Sequence, residues 1–207
     1  MDSDTTELFT IGHSAHPLER FVALLRGANV TAIADVRTSP YSRRYPHFNR
    51  EDLREALRSD GIAYVFLGKE LGGRPSERRF YREGVADYEK MARASAFSEG
   101  LDRVVEGARK YRVALMCSER DPLDCHRCLL VSRALAQRGT RVSHILDDGN
   151  VVSHSEIEDK LLEISGRNAE DLFAPRSERL ATAYRAHARK VAFAEPSPGS
   201  GGPIATQ

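Results

Sequence analysis

Short apolar runs alternate along the chain with stretches in which apolar residues recur every three or four positions. That alternation of strand and helix periods is the α/β pattern. ELFTIG (7–12) reads as a first strand, and Pro17 opens a helix carrying Phe21, Leu24 and Leu25 on one face. TAIADV (31–36) is a second strand. Asn49 is placed to cap the helix of REDLREALRSDG, which turns Leu53, Ala56 and Leu57 inward and stops at Gly61. AYVFLG (63–68), RVALMC (112–117) and RVSHIL (141–146) read as three further strands. Helical spacing fills ADYEKMARASAF, SEGLDRVVEGARKY and DCHRCLLVSRALAQRG, the last closed by Gly139. Beyond the turn Asp147-Asp148-Gly149, Ser153 and Glu156 form a capping box for a helix reaching Ile164.

The pattern predicts a single α/β domain over residues 1–165: a five-stranded, mostly parallel sheet flanked by helices. A C-terminal helical extension (166–194) follows, its helix from Arg176 to Ala192 docking through Leu180, Tyr184 and Val191. The Pro/Gly/Ser-rich tail (195–207) is expected to be disordered. Between the third and fourth strands lies the polar excursion KELGGRPSERRFYREGV, which predicts a lid over the sheet edge across residues 68–84.

In open parallel sheets, ligands bind outside the carboxyl ends of the strands at a topological switch point. Here the residues just past the strands are His13 and Ser14, Arg37, Gly68 to Glu70, Cys117 to Glu119, and Asp147 with Asp148. Most of the chemically capable groups of the first 150 residues therefore fall at one edge.

Composition narrows the functional classes. The formal net charge is +1, so no global field draws the chain to nucleic acid or a lipid surface, and nucleic acid is not the favoured partner. No apolar run approaches the roughly 20 residues that span a bilayer. The first residues, MDSDTTELFT, place acids where a secretory signal has positive charge, so a cytoplasmic location is expected. Three cysteines are too few for a disulfide framework.

All three cysteines lie in ALMCSERDPLDCHRC (114–128). Cys117 ends a strand and Cys125 begins the next helix, with Asp121 or Asp124 as cap and Pro122 at an early helical position. Cys125, Cys128, Leu129 and Leu135 share a helical stripe, which assigns Cys128 to the core. The helix start and Arg127 favour thiolate at Cys117 and Cys125. Glu119, His126 and His13 are the candidates for proton transfer beside those thiols, while Arg37, Arg43, Arg127, Ser14 and Tyr81 are candidates for holding an anionic substrate. No Walker or dinucleotide-binding glycine motif is present, so no cofactor is expected. The alternative is a metal ion on Cys117, Cys125 and His13. Cys125 and His126, as neighbours on a helix pointing about 100° apart, are not expected to share one ion.

TIGHS, ADVRTSPYSR, YVFLGKELGG and the C-S-E…C-H-R segment, in that order, resemble the family known as domain of unknown function 488, over roughly residues 8 to 150. The resemblance implies a cytosolic bacterial or archaeal α/β protein marked by two cysteines, here Cys117 and Cys125, followed by His126 and Arg127. It implies no reaction. Read from the residues, the leading function is an enzyme acting on a small anionic substrate, a nucleotide or phosphorylated metabolite, through a reactive cysteine as a hydrolase or transferase. The rivals are a metal-binding protein and a nucleic-acid-binding or repair-associated module using residues 37–50.

Overall fold

The computed structural model describes residues 7–167 and 174–195. In chain order the elements are β1 (Glu7–Gly12), α1 (Leu18–Gly27), β2 (Ala32–Asp35), α2 (Arg50–Ser59), β3 (Ala63–Phe66), α3 (Gly68–Leu71), β4 (Tyr81–Arg82), β5 (Val85–Ala86), α4 (Tyr88–Met91), α5 (Ser95–Ala108), β6 (Val113–Cys117), α6 (Arg133–Gln137), β7 (Arg141–Ile145), β8 (Val151–Ser153), α7 (His154–Ile164) and α8 (Arg176–Val191). The central sheet runs β3-β2-β6-β1-β7-β8. All neighbours are parallel except β8, which lies antiparallel to β7. The α/β class holds, with six strands in place of five: the short β8 hides between a turn and a helix cap.

Alternate residues of the inner strands β1, β2 and β6 feed two cores. Leu8, Ala34, Leu115 and Cys117 face one side, beneath α5 and the segment 127–137, whereas Phe9, Ile11, Ile33 and Met116 face the other, beneath α1 and α2. Strands this regularly buried on both faces are what a parallel sheet covered by helices demands. The arrangement fixes the switch point. The connection after β6 goes to one face, while those after its neighbours β1 and β2 go to the other, so a crevice opens at the carboxyl end of β6.

The other expected helices form with local differences. Asn49 occupies the cap position of α2 without capping it; its side-chain oxygen instead accepts from the Ser42 N–H at 2.7 Å, bracing the loop before the helix. The capping box at Ser153 and Glu156 is present. On α8, Leu180 and Tyr184 are buried in the main core and Val191 packs against it, so the extension docks where expected. Residues 68–84 are built into the wall instead of standing over it as a lid. They form α3 and most of the β4–β5 hairpin, which is tied to the segment after α8 by Ala86 N–H to Phe193 O at 2.9 Å and Glu195 N–H to Gly84 O at 2.8 Å. Apart from Glu195, the tail expected to be disordered lies outside the described residues. No described helix is long and apolar enough to cross a membrane.

Candidate functional site

Cys117 is the last residue of β6, and its side chain faces the core beneath the following helix. The loop then makes a single 3₁₀ turn, Pro122–Asp124, capped by Asp121 accepting from Leu123 N–H at 2.8 Å. That turn ends one residue early. Cys125 is extended (φ −137°, ψ 139°), and only from His126 does the backbone become helical. Cys125 is thus the N-cap of the next helix: its carbonyl accepts from Cys128 and Leu129 N–H at 3.1 Å each, and its sulfur accepts from Arg127 N–H at 3.4 Å. Helix formation continues as a π-helical stretch, Arg127–Ser132, before α6, so the expected uninterrupted α-helix is replaced by a form that recurs at functional sites.

The extended Cys125 overturns the expectation that it and His126 diverge. Both side chains reach one point. Glu119 Oε2 accepts from the Cys117 thiol at 2.9 Å and the Cys125 thiol at 3.0 Å, and His126 Nδ1 lies 3.6 Å from the first sulfur and 3.9 Å from the second. All four ligand-type atoms fall within 4.8 Å of one another. His126 Nε2 donates to the Val36 carbonyl at 2.9 Å, which aims Nδ1 at the sulfurs. Gly73 packs on the other side of this ring: a Cβ there would meet His126 Cγ at 2.6 Å. The second glycine of the excursion's pair is therefore a close-contact surface for the imidazole, while Gly72 packs against the Gly68 carbonyl and Thr38.

Burial pushes the Cys117 thiol up, reinforced by its hydrogen bond and charge relation with Cys125. Burial also opposes ionisation of Cys125, but the hydrogen bond from Cys117 and the charges of Arg127 and His126 outweigh it and hold that thiol down. Glu119 is pushed up by burial and by Cys125, and His126 is raised because the charge and hydrogen bond of Cys125 overcome its burial.

Arg37, just past β2, forms a bidentate pair with buried Asp35: Nε to Oδ1 at 2.9 Å and Nη2 to Oδ2 at 2.6 Å. Tyr64 donates to the same carboxylate at 2.7 Å. The remaining Arg37 nitrogen, Nη1, lies 3.3 Å from His13 Nε2, and His13 Nδ1 lies 2.9 Å from the Ser14 carbonyl. His13 is pushed down to about 4, first by burial and then by Arg37, and it stacks on Phe48 at 4.2 Å. It remains neutral near pH 7 and positions Arg37; the sulfur cluster takes its imidazole from His126, not from His13 as the metal alternative expected.

Arg127 does something other than hold substrate. It is wholly buried, and its guanidinium donates to the carbonyls of Glu119 (2.6 Å) and Arg120 (3.0 Å), clamping the loop that carries Glu119. A Cβ on Gly12 would overlap the Glu119 carbonyl oxygen, so the glycine of TIGHS lets this loop lie against β1.

A cavity of about 790 Å³ opens above the cluster. His13, Ser14, Arg37, Cys117, Glu119 and His126 line it, and Cys125 sits behind them. Three expected binding residues do not. Arg43 points to solvent while its neighbour Arg44 lines the cavity, Arg127 is sealed below, and Tyr81 donates to the Pro75 carbonyl at 2.7 Å as an internal brace of the excursion. Arg74 and Phe193 in the wall were not foreseen; the guanidinium stacks over that ring at 5.0 Å, joining the excursion to the segment after α8.

Cys128 is core, as its stripe implied. It lies within 4.8 Å of His144 and His154, which belong to a buried hydrogen-bonded chain. Tyr184 donates to Glu158 at 3.2 Å, which orients His154 Nε2 toward the Tyr184 oxygen (3.1 Å), His144 Nε2 toward His154 Nδ1 (2.9 Å), and the Thr10 hydroxyl toward His144 Nδ1 (2.8 Å). Every nitrogen in that chain is satisfied, so it ties β1, β7, α7 and α8 together. Sequence periodicity gave no signal for it, because its members come from four elements.

Residues 17–134 match the family model described as domain of unknown function DUF488, more than half of the chain and every member of the sulfur cluster. The match is shorter than the stretch of resemblance and begins after His13 and Ser14. No curated protein and no solved structure matches the chain.

Proposed function

The chain belongs to the domain of unknown function DUF488 family, and from that footing we propose that it is an enzyme acting on a small anionic substrate, as a hydrolase or transferase. The observation that carries this reading is the position of the Cys117, Glu119 and His126 side chains on the floor of a cavity at the switch point of a parallel sheet. The floor supplies thiol, carboxyl and imidazole groups able to act on a bound substrate or on water beside it.

The preference for an anion comes from the walls. Arg37 is answered by Asp35, but Arg44 and Arg74 rest on Tyr45 and Phe193 with no carboxylate partner among the described residues. Ser14, Ser39 and Ser42 add hydroxyl donors, the combination that binds phosphate or carboxylate. A nucleotide or phosphorylated metabolite fits both the volume and the aromatic faces of Tyr41 and Tyr45. A long nucleic acid is disfavoured by the concave site and the +1 net charge.

The test is calorimetric titration with inorganic phosphate and with adenosine monophosphate. Binding that weakens at least tenfold in Arg44→Ala/Arg74→Ala supports the assignment. Absence of binding by either anion, or binding indifferent to both arginines, overturns it.

A further inference from the structure

We infer that the cavity floor is a zinc centre, with Cys117, Cys125 and His126 as fixed ligands and Glu119 as an exchangeable fourth. The inference deepens the enzymatic reading above and rests on it for the substrate, though not for the metal. Four features support it.

The first is convergence: two sulfurs, an imidazole nitrogen and a carboxylate oxygen all lie within 4.8 Å of one another, and two sulfurs with N/O donors are a zinc set. The second is the outer hydrogen bond. A metal-ligating histidine almost always donates through its other nitrogen, and His126 Nε2 donates to the Val36 carbonyl at 2.9 Å, leaving Nδ1 directed at the sulfurs. The third is Glu119. Among the described residues its Oε2 has only the two thiols as side-chain donors, 2.9 and 3.0 Å away. Once the thiols ionise, three anionic groups face one another at these distances, and a cation between them resolves the conflict.

The fourth is charge. Two thiolates and a carboxylate around a doubly charged ion leave one negative charge. Arg127, fully buried and bonded to the Glu119 carbonyl, supplies the matching positive charge.

The ligands also differ in how firmly they are held. Cys117 ends a central strand, Cys125 caps a helix, and His126 is pinned between Val36 and Gly73. Glu119 stands on the loop and is the most exposed of the four. Zinc loading displaces one proton from each thiol. When water takes the place of the Glu119 oxygen, the carboxylate is left beside it as a base. It accepts a proton from that water, the hydroxide adds to an electrophilic carbon or phosphorus of the anionic substrate, and the bond to the leaving group breaks as Glu119 returns the proton to it. One water is consumed and no electrons change hands. The cysteines then serve as ligands and are not themselves the nucleophile.

The experiment is native mass spectrometry of the full chain purified without chelator, with cobalt(II) absorption as a second readout. One zinc per chain, with two protons lost, is expected. Cobalt loading should give the intense visible bands of a tetrahedral thiolate site, and Cys117→Ser and Cys125→Ser should each abolish both signals. Gly73→Ala, which crowds His126 without removing a ligand, should weaken zinc 10- to 100-fold while the protein stays folded. A metal-free mass after incubation with zinc, or a zinc that survives both cysteine substitutions, overturns the inference. Anion binding without zinc would defeat the metal centre alone, and zinc without anion binding would defeat the substrate assignment alone.

Discussion

Replacing Arg127 with Met tests whether the site loop is held by a buried clamp. The side chain is fully buried and makes two side-chain hydrogen bonds, Nη1 to Glu119 O at 2.6 Å and Nη2 to Arg120 O at 3.0 Å. Methionine fills much of the same space but donates nothing, so two carbonyls lose their partner. A buried acceptor left unpaired costs about 1–3 kcal/mol, which applies to the Glu119 carbonyl; Arg120 is exposed, so water replaces the second bond at little cost. Removing the charge of a guanidinium raises the cost further, because the Cys125 thiol loses a compensating cation. A net loss of about 3 kcal/mol is expected. The chain has no tryptophan, so urea unfolding is followed by far-ultraviolet circular dichroism. With a slope of about 2 kcal/mol per molar urea, the midpoint should fall by about 1.5 M. Arg109→Met, which removes only an exposed helical ion pair with Glu106, is the control and should shift stability by less than about 0.5 kcal/mol. An Arg127→Met midpoint as close to wild type as that of the control would refute the clamp.

Two glycines should respond in opposite directions. Gly12→Ala forces a methyl into the Glu119 carbonyl and toward Arg127 Nη1, so it should cost more than about 2 kcal/mol and dislodge the Glu119 loop. Gly107→Ala in α5 meets nothing nearer than Val113 Cγ2 at 3.9 Å and should stabilise by about 0.5–1 kcal/mol; equal effects in denaturant titrations would contradict the packing argument. Acid should loosen the buried histidine chain. Burial, then the charges of His154 and Arg127, push His144 down, and burial pushes His154 down. The unfolded chain takes up protons below about pH 6.5 that the folded one refuses, so this stability is present above that value and is lost as pH falls toward the folded values. Comparing urea midpoints at about pH 7.5 and pH 5.5, His154→Gln should show a smaller acid loss than wild type; identical losses would exclude the chain as the cause.

Much of this architecture is legible from patterning, because parallel strands covered on both faces write continuous apolar runs. RVALMC and TAIADV could hardly be anything else. β8 was not legible: it has three residues, half-exposed or exposed, and borrows its order from β7. The edge position of Cys117, Arg37 and His13 followed from topology, but their partners did not. Whether Cys125 and His126 diverge or converge depends on a single residue's backbone state, extended instead of helical, set by a 3₁₀ turn that closes at Asp124. The Asp-Pro start of that turn was visible; its early end was not. Arginine roles resisted sequence reading for a related reason. Arg43 and Arg44 are chemically identical neighbours separated only by the loop's path, and Arg127 is internal because its helix stripe is buried all round.

X-ray absorption at the zinc edge, recorded on the zinc-loaded full chain, addresses the metal centre most directly. The expected shell is two sulfurs at about 2.3 Å and two nitrogen or oxygen atoms at about 2.0 Å, while Cys117→Ser should retain no zinc and give no such shell. A shell of light atoms alone, or one unchanged in Cys117→Ser, would contradict the account.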